Sequence, residues 1–280
     1  MNIKILSDST CDLSKELVEK HGITLVPLTI VKNDQPYTDG VDITPADIFA
    51  HVTAGGSLCS TAALSVGVYQ DRFTKYASEY DGVLHVNIGS GFSSSYQNAC
   101  LAAEEFDNVR VVDSQNLSTG QGLVVLKACE LAQSCNSLDE LQQQLQEYTS
   151  KIESSFLLDR LDYMVKGGRC SSVVALGANT LKLKPCIEVK NGKMSVVKKY
   201  RGNYAKCLAN YVKDRLDARD DLDRDTLFVT RTPISDACLD AVSQAVDTYA
   251  DFKNIYWTEA GCTVSCHCGP GTLGVLFVRK

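Results

Sequence analysis

The first half of the chain alternates short β-rich runs with amphipathic helical stretches, and this alternation limits the possible folds more than any other feature. Each strand-like run leads through a polar turn into a helical pattern. The three pairs are 3–6 with 14–21, 83–88 with 93–106, and 109–112 with 118–133. Repeated strand–turn–helix units predict a parallel sheet with helices on both faces.

The pattern changes in the second half. A helix at about 138–149 opens with a capping box, Ser137 and Glu140, and we expect it to end the first domain near residue 155. The dipeptide Asn191-Gly192 then separates two strand-like runs, which predicts a β-hairpin with a two-residue type I′ turn. The other predicted elements are strands at 187–190, 193–197, 226–229 and 274–278 and helices near 203–217 and 235–249.

The predicted fold class is therefore α/β with two domains. Residues 1–155 form a doubly wound, mainly parallel sheet with helices on both faces, and residues 156–280 form an α+β domain that contains the hairpin. A chain of 280 residues with 44% hydrophobic content is long enough to bury two such cores.

Composition excludes several partners. The 28 Lys and Arg against 34 Asp and Glu leave a net charge of −6 without a dense basic stripe, so nucleic acid is not expected as a partner. No stretch approaches the roughly 20 apolar residues that span a bilayer, and the first residues enter a strand instead of a signal-peptide core, so we expect a cytoplasmic protein. The 12 cysteines are scattered singly, which predicts reduced thiols.

Two hydroxyl-rich segments are candidates for anion binding. In the first, a strand ends at about Ile88, glycines follow, and Ser93 and Ser94 precede a helix whose free N–H groups favour an anion. In the second, Ser60 and Thr61 precede a helix that starts near Ser65. Loops at the carboxyl ends of parallel strands line one crevice, so the two segments are expected to face each other. The alternative is that these hydroxyls only cap helices and stabilise turns.

The segment 262–271 offers three thiols and a histidine, which are suitable zinc ligands. The spacing argues against zinc, because neighbours in an extended chain point to opposite faces and no C-x-x-C pair is present. We expect no metal here, and interpret His267, beside its Gly-Pro-Gly turn, as a hydrogen-bond donor to an anionic ligand.

Two basic segments are further candidates. The segment 166–169, which ends in Arg169, lacks the spacing of a Walker loop, and no G-x-G-x-x-G follows a strand, so the usual nucleotide signatures are missing. The segment 198–201, which ends in Arg201, closes the second hairpin strand. It is either a solvated basic face or a site for a phosphate or an acidic partner.

Taken together, these segments resemble the DegV family along essentially the whole chain. The matching stretches are Asp8-Ser9-Thr10-Cys11-Asp12-Leu13, Gly89-Ser90-Gly91-Phe92-Ser93, Tyr96-Gln97, Val112-Asp113-Ser114, Lys166-Gly167-Gly168-Arg169, Lys184-Pro185 and His267-Cys268-Gly269-Pro270-Gly271. The resemblance implies one long-chain fatty acid bound between the domains or inside the first. It also implies no catalytic activity and no cofactor, because family members act as the acyl-carrying subunit for an ATP-dependent fatty-acid kinase that converts the bound carboxylate to an acyl phosphate.

Carried over by position, the resemblance places Thr61 and Ser93 at the carboxylate with His267 close by, and Arg201 toward the kinase or the transferred phosphate. Arg169 is a second candidate for that contact. Two departures affect the head-group site. Ser94 stands where the family commonly has glycine, and Ser60-Thr61-Ala62-Ala63-Leu64-Ser65 replaces Thr-Ser-Gln-Pro-Ser, so Ser60 and Ser94 stay carboxylate-binding candidates. We expect a monomer, with transient membrane contact as a route for ligand exchange.

Two other functions stay open. A serine hydrolase or acyltransferase would use Ser93 and His267, although residues 91–95 lack the last glycine of G-x-S-x-G and no carboxylate is singled out to orient the histidine. A binding protein for another anion, such as a phosphorylated metabolite, would need a pocket with polar walls.

Overall fold

The computed structural model describes residues 1–176 and 183–280. Within these ranges the strands are β1 (Ile3–Asp8), β2 (Thr24–Val26), β3 (Thr29–Lys32), β4 (Gln35–Thr38), β5 (Ser60–Ala62), β6 (Gly82–Asn87), β7 (Val109–Asp113), β8 (Ile152–Leu157), β9 (Leu183–Lys190), β10 (Lys193–Arg201), β11 (Leu222–Arg231), β12 (Asn254–Glu259) and β13 (Leu273–Arg279). The α-helices are α1 (Lys15–Lys20), α2 (Pro45–Thr53), α3 (Val66–Ala77), α4 (Ser95–Ala103), α5 (Ser118–Leu131), α6 (Leu138–Thr149), α7 (Asp162–Gly167), α8 (Ser171–Val174), α9 (Tyr204–Leu216), α10 (Asp236–Tyr249) and α11 (Cys262–Cys268).

The first sheet has the order β2-β1-β6-β7, and all its neighbouring strands are parallel. Helices α3 and α4 cover one face, where Tyr69 and Phe73 pack on Leu6 and Val83. Helices α1, α5 and α6 cover the other face. The predicted doubly wound sheet with helices on both faces is confirmed.

Helix α5 is buried almost all round, because it lies between the first sheet and a second one. Leu123 and Val124 belong to one apolar cluster with Val86 of the first sheet and with Phe228 and Leu276 of the second. A helix with apolar residues on every side is typical of a position inside a core. The two sheets therefore share a core across α5.

The second sheet has the order β10-β9-β8-β13-β11-β12 and is mixed, with only β11 and β12 parallel among the described pairs. The predicted hairpin is present: β9 and β10 pair with Lys190 opposite Lys193, and φ is 50° at Asn191 and 68° at Gly192, as a type I′ turn requires. Helices α9 and α10 cover the outer face, which confirms the predicted α+β arrangement.

The boundary predicted at residue 155 lies inside β8, all of whose described pairs are in the second sheet. The change of sheet falls between Thr149 and Ile152, and the division into two domains remains a proposal. Sequence analysis did not predict the small antiparallel sheet β4-β3-β5, which carries the Ser60–Thr61 segment. None of the helices in the described ranges is both long and apolar enough to cross a bilayer.

Candidate ligand-binding site

A cavity of about 130 Å³ lies where the small sheet, the β6–α4 loop, α7 and α11 meet. Most of its wall is apolar, and a smaller part carries hydroxyls, an imidazole and a guanidinium. The lining residues are Leu28, Thr61, Ala62, Ala63, Ile88, Phe92, Ser93, Ser94, Leu117, Met164, Arg169, Met194, Thr263, Val264, His267 and Cys268. Five of the predicted site residues therefore share one cavity, whereas Ser60 and Arg201 do not line it.

Thr61 lies on β5, opposite Ile30 of β3, and its Oγ1 is 2.9 Å from Nε2 of His267. Adjacent strand residues point to opposite faces, so with Thr61 facing the cavity Ser60 faces away. Of the two residues, Thr61 is therefore the one that lines the cavity, and its contact with a carboxylate stays a prediction. The two hydroxyl-rich segments do face one cavity, but the predicted reason is wrong. They were expected to follow strands of one parallel sheet, whereas β5 belongs to the small antiparallel sheet.

The imidazole of His267 is neutral at ordinary pH. Burial, followed by the nearby charge of Arg169, lowers its pKa to about 4. Its Nδ1 is buried and has no hydrogen-bond partner within the described ranges. A buried N–H without a partner is less tolerable than a bare acceptor, so we assign the hydrogen to Nε2. That tautomer donates to Thr61 Oγ1 and leaves the threonine O–H free to donate into the cavity.

The ring of His267 is held in place by the end of α7. A Cβ built on Gly167 would overlap Nδ1 of His267, so only glycine lets the backbone lie this close to the ring. Gly167, considered from sequence as part of a phosphate-binding loop, thus contacts the imidazole of His267.

Ser93 stands in the loop between β6 and α4. Its Oγ accepts a hydrogen bond from Ser95 N (3.1 Å) and lies 3.0 Å from Ser95 Oγ. The expected helix start at Ser93 is two residues early. The N-cap of α4 is Ser94, whose side chain makes no capping bond, so Ser93 precedes the cap and lines the cavity. Ser90 is occupied elsewhere, because its N–H and hydroxyl both bind Asp113.

Arg169 is the one charged side chain among the described residues that line the cavity. Its Nη1 donates to Gly167 O (2.7 Å) and its Nε to Phe92 O (3.4 Å), so it connects the end of α7 with the Ser93 loop. Arg169 was expected to contact a kinase or a phosphate. The structure instead places it in the same wall as Thr61 and His267.

Two buried carboxylates hold the N-terminus of α11. Asp12 Oδ1 accepts from Gly261 N (2.9 Å), and Asp39 accepts from Cys262 N (3.0 Å) and Thr263 N (3.3 Å). Free N–H groups at a helix start are strong donors, and negative charge there is favourable. The extended chain assumed for 262–271 in the argument against zinc is therefore wrong: 262–268 form a helix, whose first N–H groups Asp12 and Asp39 cap.

Neither Asp12 nor Asp39 was predicted from the sequence to contribute to the site. Asp12 follows the carboxyl end of β1, a position that signals a functional side chain in a parallel sheet. Asp39 lies in a loop without any such signal. The two residues connect the first half of the chain to the helix that carries Val264 and His267.

The thiols around His267 belong to the apolar core. Cys262 and Cys266 are one helical turn apart on α11 and cluster with Cys59, and burial raises the pKa of Cys262 and Cys266 above the ordinary thiol range. In the described part of the chain, no group of three or more His, Cys, Asp or Glu side chains is arranged to hold a metal ion.

The geometry gives the hydrolase alternative no support. His267 bonds to Thr61, while the hydroxyl of Ser93 bonds to Ser95. Within the described ranges no carboxylate reaches Nδ1 of His267, which a triad would require.

A second cavity adjoins the first, and three residues line both: Leu117, Val264 and Cys268. This second cavity, the distal chamber, measures about 30 Å³ and extends between β8, β13 and α5. A cavity with hydroxyls and a guanidinium in part of its wall, next to a second cavity with mostly apolar walls, suits an elongated amphipathic ligand.

The fold and the cavity define a two-sheet α/β protein with an amphipathic pocket at the junction of its halves. The DegV family model matches residues 2–280, and a DegV domain-containing protein of Clostridium perfringens is 32% identical over 282 residues, with 99% of each chain covered. The chain belongs to the DegV family.

Solved structures give the same result. A DegV family protein from Thermus thermophilus, described for its fatty-acid binding, has a TM-score of 0.89 at 27% identity, with 100% of both chains covered. A stearic-acid-binding protein from Eubacterium ventriosum has a TM-score of 0.81 at 27% identity, with 99% of this chain and 98% of that one covered.

Proposed function

We propose that the protein is a non-catalytic carrier that binds one long-chain fatty acid, with the carboxylate at Thr61 and Ser93, close to His267, and the tail directed toward the distal chamber. The observation that carries this proposal is one cavity that combines hydroxyl donors and a single cation with walls that are otherwise mostly apolar. Fatty-acid binding by the similar Thermus and Eubacterium proteins supports it.

The head-group chemistry follows from the hydrogen-bond directions. With the His267 hydrogen on Nε2, Thr61 donates its own hydrogen to the carboxylate, and Arg169 supplies the opposite charge. Charge-assisted hydrogen bonds are roughly twice as strong as neutral ones. Ser94 is exposed at the rim of the cavity and is a secondary donor.

The tail supplies most of the affinity. Each methylene removed from water contributes about 0.8 kcal/mol, so a palmitoyl tail contributes roughly ten kcal/mol before the entropy cost of binding. A phosphorylated metabolite gains nothing from these walls, and the largely apolar lining disfavours that alternative.

The binding proposal is tested by displacement of a fluorescent fatty acid from the delipidated protein with palmitate, hexadecanol and glucose 6-phosphate. Palmitate is expected to displace the probe at the lowest concentration, and the alcohol at a concentration about tenfold higher or more, because it lacks the charge that the hydroxyls and Arg169 bind. Displacement by the sugar phosphate without displacement by palmitate would overturn the proposal.

The resemblance extends the proposal to a partner. In this extension an ATP-dependent kinase docks at the end of β10, where Arg201 is exposed, and the carboxylate oxygen attacks the γ-phosphorus of ATP. The bond from that phosphorus to ADP breaks, and acyl phosphate and ADP result. Bound palmitate, ATP and a bacterial fatty-acid kinase should together yield a hydroxamate when hydroxylamine is present.

Arg201→Ala should reduce the hydroxamate yield without changing palmitate affinity. Lys199→Ala, at an exposed position on the same strand, is the matched control. Equal yields from the two variants and the wild type would remove Arg201 from the docking surface. No hydroxamate from the wild type would refute the partner proposal while leaving fatty-acid binding intact.

A further inference from the structure

The distal chamber is unusual for an acyl-chain pocket because six of its lining residues carry hydroxyls. They are Ser118, Ser154, Ser155, Thr230, Thr232 and Thr272. A methylene chain makes no hydrogen bond, so each of these hydroxyls needs a partner from the protein or from the ligand.

Five of the six have protein partners. Their bonds are Ser118 Oγ to Asp12 Oδ2 (2.6 Å), Ser155 Oγ with Tyr211 Oη (2.8 Å), Thr230 Oγ1 with Thr119 Oγ1 (2.6 Å), Thr232 Oγ1 to Gly269 O (2.9 Å) and Thr272 Oγ1 to Cys268 O (2.9 Å). These hydroxyls tie together the helices and strands of the chamber wall and are structural.

Ser154 is the exception. Its side chain is 1% exposed, and its Oγ has no hydrogen-bond partner within the described ranges. On β8 the side chains alternate: Ser155 points to Tyr211 of α9, so Ser154 points to the opposite face of the sheet, toward α5. A Cβ on Gly120 of α5 would overlap both this Oγ and Oδ1 of Asn116, a second buried polar atom without a partner within the described ranges, so the two atoms lie close together beneath the helix backbone.

A buried hydroxyl without a partner costs about 1–3 kcal/mol. An apolar residue such as Ala or Val suits a buried strand position and would avoid the cost of an unpaired hydroxyl. A hydroxyl at this place in the chamber therefore points to a polar atom on the ligand.

We propose that Ser154 hydrogen-bonds an oxygen substituent on the acyl chain, so that the protein favours long-chain fatty acids that carry a hydroxyl or keto group in the part of the chain that lies past Leu117, Val264 and Cys268. The inference rests on the proposed fatty-acid binding and deepens it by naming the class of acyl chain. Because the other five hydroxyls are engaged, Ser154 is the chamber hydroxyl, among the described residues, that sets the position of the oxygen along the chain.

The test is a displacement series with palmitate and its monohydroxy positional isomers, measured on the wild type, Ser154→Ala and the control Ser195→Ala, which removes an exposed hydroxyl from the same sheet. In the wild type and the control, one isomer should bind about fivefold or more tightly than palmitate. In Ser154→Ala that isomer should lose its advantage, while palmitate binds as tightly as before or more tightly.

Two results would overturn the inference: no isomer exceeds palmitate in the wild type, or the preference survives in Ser154→Ala. A water molecule bound permanently to Ser154 would give the first result. Both leave the carrier proposal standing, because palmitate itself still binds. Failure of every fatty acid to bind, palmitate included, would instead refute the carrier proposal and this inference together.

Discussion

Thr61 Oγ1 and His267 Nε2 are 2.9 Å apart although 206 positions separate the two residues in the chain. One stands on the small antiparallel sheet and the other on α11. The proposed head-group site is thus complete only when these two elements are docked. The carboxylates of Asp12 and Asp39, which hold the start of α11, are part of that docking.

The hydroxyl of Thr61 is predicted to be a main hydrogen-bond donor to the carboxylate of the bound fatty acid. Thr61→Val keeps the shape of the side chain but removes the hydroxyl, and should weaken palmitate binding about tenfold or more, because a hydrogen bond to a charged group is lost. Thr61→Ser, which retains the hydroxyl, should bind within about threefold of the wild type. Displacement titration measures both, and equal affinities for the two variants would contradict the assigned role.

His267 is predicted to stay neutral across the physiological range. Burial and Arg169 lower its pKa to about 4, so its ring resonances should not titrate in the folded protein between about pH 5.5 and 8. Arg169→Gln removes one of the two causes and should raise this pKa. NMR of histidine-labelled protein, with His267→Gln for assignment, measures it, and a wild-type midpoint near 6.5 would be inconsistent with the assignment.

Asp12 is predicted to make stability depend on pH. Burial outweighs the hydrogen bonds from Ser118 and Gly261 and raises the pKa of Asp12 to about 7, from an ordinary value of 3.8. Because the folded state then binds this proton more tightly than the unfolded state, the contribution to stability is full below about pH 4 and is lost as pH rises to about 7.

Urea denaturation of the wild type and Asp12→Asn at several pH values measures this effect. The free energy of unfolding of the wild type, relative to the variant, should fall as pH rises between about 4 and 7 and stay level above. Two curves that run parallel through this interval would exclude a raised pKa for Asp12.

Asp39 is predicted to support both stability and binding. Asp39→Ala leaves the N–H groups of Cys262 and Thr263 and the hydroxyls of Ser9 and Thr263 without their acceptor. The expected loss is about 2 kcal/mol or more in the free energy of unfolding, with weaker palmitate binding through displacement of α11. Asp240→Ala, at an exposed helix position, is the control and should change neither quantity. If Asp39→Ala has the free energy of unfolding and the palmitate affinity of the wild type, α11 is held by other contacts.

The periodic elements were predictable because their signals are local. The strands at β1, β6 and β7, the hairpin around Asn191-Gly192 and the capped helices follow from alternation, turn chemistry and caps that lie within a few residues of each other. Helix α11 was not predictable in this way, because its N–H groups are satisfied by Asp12 and Asp39, more than 200 positions earlier in the chain.

The residues of the candidate site could be predicted from the sequence, but their arrangement in space could not. The resemblance indicated Thr61, Ser93 and His267, and the structure places all three on one cavity. Strand pairing turns Ser60 away from the cavity. The packing of α7 on α11 places Arg169 beside His267. The hydroxyl of Ser154 has no sequence signal, because only the hydrogen bonds of the described residues around it show that it has no partner among them.

The most direct test of the carrier proposal is mass spectrometry of an organic extract from the protein purified out of a bacterial host, beside the same extract from the double variant Thr61→Ala, Ser93→Ala. The proposal predicts a near-stoichiometric long-chain fatty acid in the wild type and its loss or depletion in the variant. Wild-type protein that carries no fatty acid and takes up none when palmitate is added would contradict it.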